Sequence, residues 1–281
     1  MKKKEHKYFL AVNKRSVAIY VVLRFFVSLI MVHRFLRGNY NEVFICLLTL
    51  FLFFIPAILD KRFNIKLPTA LEIVIIVFIF CAEILGELQH FYTTYKHWDT
   101  ILHTVNGFLM AAIGFAMIDI LNQSPKIHLD MSPVFVAFVA FCFSMTIGVV
   151  WEFFEYFMDN WLILDMQKDF IISDFASVAL HPENLNIPVK VTDISKTIIY
   201  YNENGAQLNT VIDGGYLDIG IIDTMKDLFV NFIGAVIFSL IGVFYVKTRG
   251  KSIVAQSFIP QLDEDAQTKK GEEIKELLKN K

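Results

Sequence analysis

The chain has 281 residues, of which 55% are hydrophobic and 28 are phenylalanine, and its mean hydropathy is +0.51. A water-soluble domain of this length is far more polar, so the composition points to a polytopic membrane protein. A formal net charge of −2 excludes the basic footprint that nucleic-acid binding requires of a whole chain.

Six segments reach the roughly 20 apolar residues that a membrane crossing needs. They run approximately over 16–36, 42–59, 69–91, 100–121, 133–157 and 224–246. The expected fold is an all-α polytopic membrane protein, a six-helix transmembrane bundle with a small β-rich extracytoplasmic insertion. The expected organisation is a cytoplasmic N-terminus (1–15), spans one to five (16–157), an insertion (158–222), span six (223–247) and a cytoplasmic tail (248–281). The basic start Met1-Lys2-Lys3-Lys4 precedes an apolar run without a small-residue cleavage site and reads as leading into an uncleaved first span. Cys46, Cys81 and Cys142 all lie in apolar runs without metal spacing and read as buried thiols.

Lys2, Lys3, Lys4, Lys7, Lys14 and Arg15 precede the first span. Lys61, Arg62 and Lys66 separate the second and third, and Lys247, Arg249 and Lys251 follow the sixth. Six crossings put all three clusters on one side, which the positive-inside rule makes the cytoplasm of a bacterial cell. Arg34 and Arg37, in a short outer loop, run against it. Arg24 stands near the middle of the first span, where a charge must face the bundle. A structural ion pair to Glu72 or Glu83 is one expectation for it; contact with an anionic lipid group is the other. The second span carries little besides Pro56 and reads as lipid-facing packing.

The third span runs outward with Glu83 and Glu87 in its outer half. The fourth opens Trp98-Asp99-Thr100-Ile101-Leu102-His103 and runs inward, with an acid and a histidine one helical turn apart on one face. The fifth runs outward to Trp151-Glu152-Phe153-Phe154-Glu155, and its two acids share a face. The polar stretch from Asn160 to Ile222 then contains Lys196 to Tyr201 and Ala206 to Ile212 around Asn204-Gly205, a strong hairpin signal. Asp213-Gly214-Gly215 ends the second strand. The sixth span starts with Asp223, Asp227 and Asn231 at successive turns of one face. After it, residues 265–281 allow at most a short amphipathic helix.

Four helices thus place acids at one end of the bundle. At 1.5 Å rise per residue, Glu87, His103, Glu155 and Asp227 lie roughly 3–8 Å inside the aromatic boundary, and Glu83, Glu152 and Asn231 on the order of 12 Å. Carboxylates at that depth are protonated, paired, or line a wet cavity. His103, Glu152, Glu155, Asp223 and Asp227 form a ligand set suited to a divalent metal such as Zn²⁺, Mn²⁺ or Mg²⁺. Asp99, His103, Glu152, Glu155 and Asp227 also suit acid–base work, an acid raising the basicity of its imidazole. Arg24, Arg34, Glu83, Glu87 and Asn231 are the candidate substrate contacts, the arginines toward a lipid phosphate. Each residue also has a plainer reading. Asp99 and Asp223 suit a helix start, His103 suits hydrogen-bonded packing, and Trp98, Trp151 and Trp161 suit an aromatic belt. Gly107, Gly148 and Gly234 suit close helix contact.

The ordered set Glu83, Glu87, Trp98-Asp99-x-x-x-His103 with Gly107, Trp151-Glu152-x-x-Glu155 and Asp223-Thr224-x-x-Asp227 with Gly234-Ala235 resembles the YjdF-like multi-pass bacterial membrane proteins, an uncharacterised family. More distantly, Asp99-x-x-x-His103, the late acid pair and Asp227-x-x-x-Asn231-x-x-Gly234 are similar to VanZ-like proteins, associated with glycopeptide resistance. The match covers roughly 69–157 and 223–246, and it implies a cell-envelope role. Three functions compete: a membrane-embedded enzyme or binder of a lipid-linked envelope substrate, a structural protein with a hydrogen-bonded acidic core whose insertion (160–222) binds an extracytoplasmic partner, and a proton-coupled transporter. The last ranks lowest, since no repeat or broken mid-membrane helix is evident.

Overall fold

The computed structural model describes residues 2–58, 65–122, 131–247, 258–259 and 261–262. Lys61, Arg62, Arg249, Lys251 and the anticipated helix in the tail lie outside the described residues. Among those described, six helices are long and apolar enough to cross a membrane: Val17–Leu36, Tyr40–Ile58, Thr69–Leu88, Trp98–Asp119, Pro133–Leu162 and Ile221–Lys247. This is the six-helix membrane bundle expected from hydropathy, with each span shifted by a few residues at its ends.

In chain order the helices are α1 (Lys2–Leu36), α2 (Tyr40–Leu52), α3 (Thr69–Ile79), the short α4 (Phe91–Thr94), α5 (Trp98–Asn122), α6 (Pro133–Leu162) and α7 (Ile221–Lys247). Between α3 and α4 the third span continues as a π-helical segment, Phe80–Leu88. The Gln89 N–H reaches back to the Ile84 carbonyl, five residues earlier. Such wider winding is rare and concentrates at functional sites. Nothing in the apolar run signals it, because hydropathy is blind to which carbonyl an N–H selects.

The chain divides into two compact units, residues 1–148 with 229–281, and 149–228. The first has an apolar core in which Phe53, Leu71, Ile76, Leu109, Phe115 and Phe238 are fully buried or nearly so. Phe238 of α7 meets Phe108 and Phe115 of α5 edge-on, at 5.1 and 6.0 Å between ring centroids. The second span is no mere lipid-facing filler, for Cys46, Thr49 and Phe53 are buried. It packs against α1 and the π segment. Two-residue strands β1 (Ile65–Lys66) and β8 (Gln261–Leu262) pair antiparallel.

The second unit holds the remaining strands. β2 (Ile171–Ile172) pairs with β7 (Tyr216–Leu217), and β3 (Phe175–Ser177) with β4 (Val189–Val191). The Asn-Gly signal is realised as a hairpin of β5 (Lys196–Glu203) and β6 (Ala206–Asp213), in register from Lys196↔Asp213 to Glu203↔Ala206. Asn204 and Gly205 have φ of +50° and +81°, the doubly positive backbone that matches the twist of a tight hairpin.

Candidate functional site

In the first unit, α5 carries the acid–histidine pair in its opening turns. His103 Nε2 lies 3.3 Å from Asp99 Oδ1, and their side chains are 11% and 21% exposed. One turn further along α5, Asn106 donates from Nδ2 to Asn231 Oδ1 on α7 across 3.3 Å. Asn231 is 1% exposed, and its own Nδ2 points at Met145 Sδ, 3.6 Å away. Ser144 Oγ donates to the Gly107 carbonyl at 2.7 Å, fully buried. A carboxamide buried on three helices is satisfied here by an amide, a thioether and the lack of side chains around it. Gly107 and Gly148 face Asn231 so closely that a Cβ on either would overlap it. Gly234 faces the backbone of Thr104 and Phe108 in the same way. The glycines expected to permit helix contact do so at the polar layer itself.

Glu83 and Glu87 lie on the π segment. Glu83 is half-buried and Glu87 is exposed. Gly86 between them gives room to the Tyr92 ring. The arginines are engaged elsewhere. Arg34 Nε pairs with Glu42 Oε2 at 2.8 Å. Arg24 Nη2 donates to the Phe53 carbonyl at 3.3 Å, with the Tyr20 and Phe54 rings 5.1 and 4.5 Å from the guanidinium carbon. A carbonyl and two aromatic faces stand around Arg24, groups that stabilise a cation without a second charge having to be desolvated.

In the second unit the acids point inward and the aromatics outward. Glu152 and Glu155 are 4% and 8% exposed, as their shared face predicts, whereas Phe153, Phe154, Tyr156 and Phe157 are exposed. Glu155 Oε1 accepts from Trp151 Nε1 at 2.9 Å. Asp223 and Asp227 are 4% and 1% exposed. Lys226 Nζ lies 3.4 Å from Asp223 and 3.9 Å from Asp227. Asp223 also accepts the Lys168 N–H at 2.8 Å.

Two further acids, outside the candidate set, hold backbone N–H groups. Asp159 accepts the N–H groups of Met166 and Gln167, at 2.6 and 2.8 Å. Asp218 accepts those of Phe170 and Ile222, at 2.7 and 2.8 Å. The second of these is legible in retrospect, because an aspartate just ahead of a helix commonly takes one of its orphan N–H groups. Burial, with Asp165 and Asp218 nearby, pushes the Asp169 carboxyl above its ordinary range. Asp99 and Asp223 sit within the first turn of their helices.

A family model described as "Predicted membrane protein (DUF2238)" matches residues 17–248. The chain belongs to this family. The match takes in all six spans and the insertion of this DUF2238 protein, and it carries neither the YjdF-like nor the VanZ-like name. No curated protein and no solved structure matches the chain.

Proposed function

We propose that this membrane protein holds a divalent cation at the Asp99–His103 pair of α5 and uses it on a lipid-linked envelope substrate. The observation that carries the reading is the Asp99–His103 pair, nearly withdrawn from solvent on an apolar helix. A carboxylate on one ring nitrogen fixes the imidazole's orientation and makes the other nitrogen a better ligand or base. A carboxylate and an imidazole suit Zn²⁺ or Mn²⁺ better than Mg²⁺, which prefers oxygen alone. Such an ion would polarise a phosphoryl or carbonyl oxygen or activate a water.

The basic clusters support an orientation with both termini in the cytoplasm of a bacterial cell and the 158–222 insertion outside. Metal analysis of the detergent-purified chain tests the proposal. One equivalent of bound metal is expected, lost in His103→Ala and Asp99→Asn while both variants stay folded. A metal-free chain, or metal content indifferent to both substitutions, overturns it. A second reading, an acidic core serving only as scaffold, draws on Asp159, Asp218 and Asp223, whose oxygens hold backbone N–H groups. On that reading alanine at Asp99, Glu152 or Asp227 lowers abundance and leaves no folded, metal-free protein.

A further inference from the structure

The two joints at which α6 and α7 meet the insertion are built with their apolar side chains outward. In the last turn of α6 and just beyond it, Trp161, Leu162, Ile163 and Leu164 are 79%, 59%, 84% and 48% exposed. Ahead of α7, Ile219 and Ile221 are 76% and 57% exposed. Behind these side chains the polarity is inverted. Asp218 and Asp223 are buried, and together with Asp159 they accept the backbone N–H groups of Met166, Gln167, Lys168, Phe170 and Ile222. A joint designed for water does the opposite, exposing its acids and turning its isoleucines in. Ile163 and Ile219 also both have φ of +55°, a left-handed backbone that β-branched residues avoid. At both joints the reversal of the chain throws an aliphatic side chain out of the unit.

We propose that both joints lie in the headgroup layer of the bilayer, with Trp161–Leu164 and Ile219–Ile221 as interfacial anchors. Continuity argues for lipid as the occupant. The outward apolar surface of α6, Phe153, Phe154, Tyr156 and Phe157, continues past the exposed Asn160 into Trp161, whose ring lies 5.5 Å from that of Phe157, and Met225, 59% exposed, extends Ile221 along α7. Both helices are membrane spans. Non-helical backbone near hydrocarbon must find its hydrogen bonds within the protein, and the aspartates supply them. Tryptophan is the residue enriched at that depth. The inference is independent of whether a metal binds.

The test uses the full chain in phosphatidylcholine nanodiscs, with Cys142→Ser removing the exposed thiol. An environment-sensitive fluorophore is attached at Ile163→Cys, at Ile219→Cys and, as a control at the hairpin tip, at Asn204→Cys. The label signal of the Cys142→Ser parent is subtracted. Labels at 163 and 219 are expected to be quenched several-fold more by nitroxide lipids than the label at 204, and several-fold less by iodide. Iodide quenching equal to that at 204 overturns the proposal. Shielding from both quenchers overturns it too, because a protein would then be the cover. Where a variant elutes as aggregate, hydrogen exchange of the unsubstituted chain in nanodiscs decides. Amides of 162–164 and 219–221 that exchange as fast as those of the hairpin tip count against lipid contact, and slower exchange supports it.

Discussion

Asn106 on α5 and Asn231 on α7 join their carboxamides across 3.3 Å, one turn beyond the Asp99–His103 pair. Polar side chains between membrane helices contribute about 0.6 kcal/mol on average and seldom more than about 2 kcal/mol. A double-mutant cycle of Asn106→Ala and Asn231→Ala, read by thermal unfolding in one detergent, should give a coupling in that range. Asn231→Leu should cost more than Asn231→Ala, because the site is walled by Gly107 and Gly148 and has no space for a branched chain.

Those glycines support a second prediction. A Cβ at Gly107 would overlap the Asn231 carbonyl, and one at Gly234 the Thr104 carbonyl. Backbone cannot swing aside as a side chain does, so the helices must separate. Gly107→Ala and Gly234→Ala should each destabilise at the upper end of the overpacking range, about 3 kcal/mol. Gly38→Ala is no equivalent control, since its φ of +76° penalises alanine by strain rather than by overlap. Gly205, at the hairpin turn, behaves like Gly38. Gly205→Ala should loosen the β5–β6 hairpin by roughly 1 kcal/mol and leave the helices unmoved, which limited proteolysis distinguishes from melting of the bundle.

The proposed cation supplies a third. Ligand that binds only the native state stabilises it by mass action, about 2.7 kcal/mol at a hundredfold excess over Kd. Added Zn²⁺ or Mn²⁺ should therefore raise the unfolding temperature of the wild-type chain and not that of His103→Ala. Protons compete with metal for the imidazole, so the metal-dependent increment should shrink as the solution is made more acidic. An increment equal in both proteins, or flat with pH, would detach it from His103.

The sequence displayed much of this because bilayers impose simple rules. Spans are legible from length and hydropathy, the hairpin from Asn204-Gly205, and the buried face of Glu152 and Glu155 from a spacing of three on a helix. What stayed hidden depends on local choices of hydrogen-bond partner. The π winding around Glu83 and Glu87 changes which carbonyl accepts, with no change in composition. The carbonyl and the two rings around Arg24 leave no mark in the spacing of charges. The role of Asp159 emerges only where the chain folds back to bring the N–H groups of Met166 and Gln167 to its oxygens. The β2–β7 and β3–β4 pairs were illegible because strands of two or three residues have too few positions to show a period.

The last prediction concerns acid. Asp174, fully exposed between β2 and β3, is held below the ordinary carboxylate range by a hydrogen bond from Ser173 Oγ and then by the backbone N–H of Asp193. Both bonds favour the ionised form, so its pKa is lower folded than unfolded. The stabilisation is complete above the unfolded value of about 3.9 and disappears as pH falls through the folded one. Asp193 has φ of +56°, so the carboxylate also holds a turn that is otherwise disfavoured. Lowering pH from 5 toward about 2.5 should speed amide exchange at Asp193 in the wild type, after correction for the intrinsic acid dependence of exchange. Asp174→Asn should start with faster exchange at pH 5 and show no further pH-dependent loss of protection. The β5–β6 hairpin, whose register does not involve Asp174, serves as the internal reference. Equal acid sensitivity there would assign the effect to the whole insertion instead of to this carboxylate.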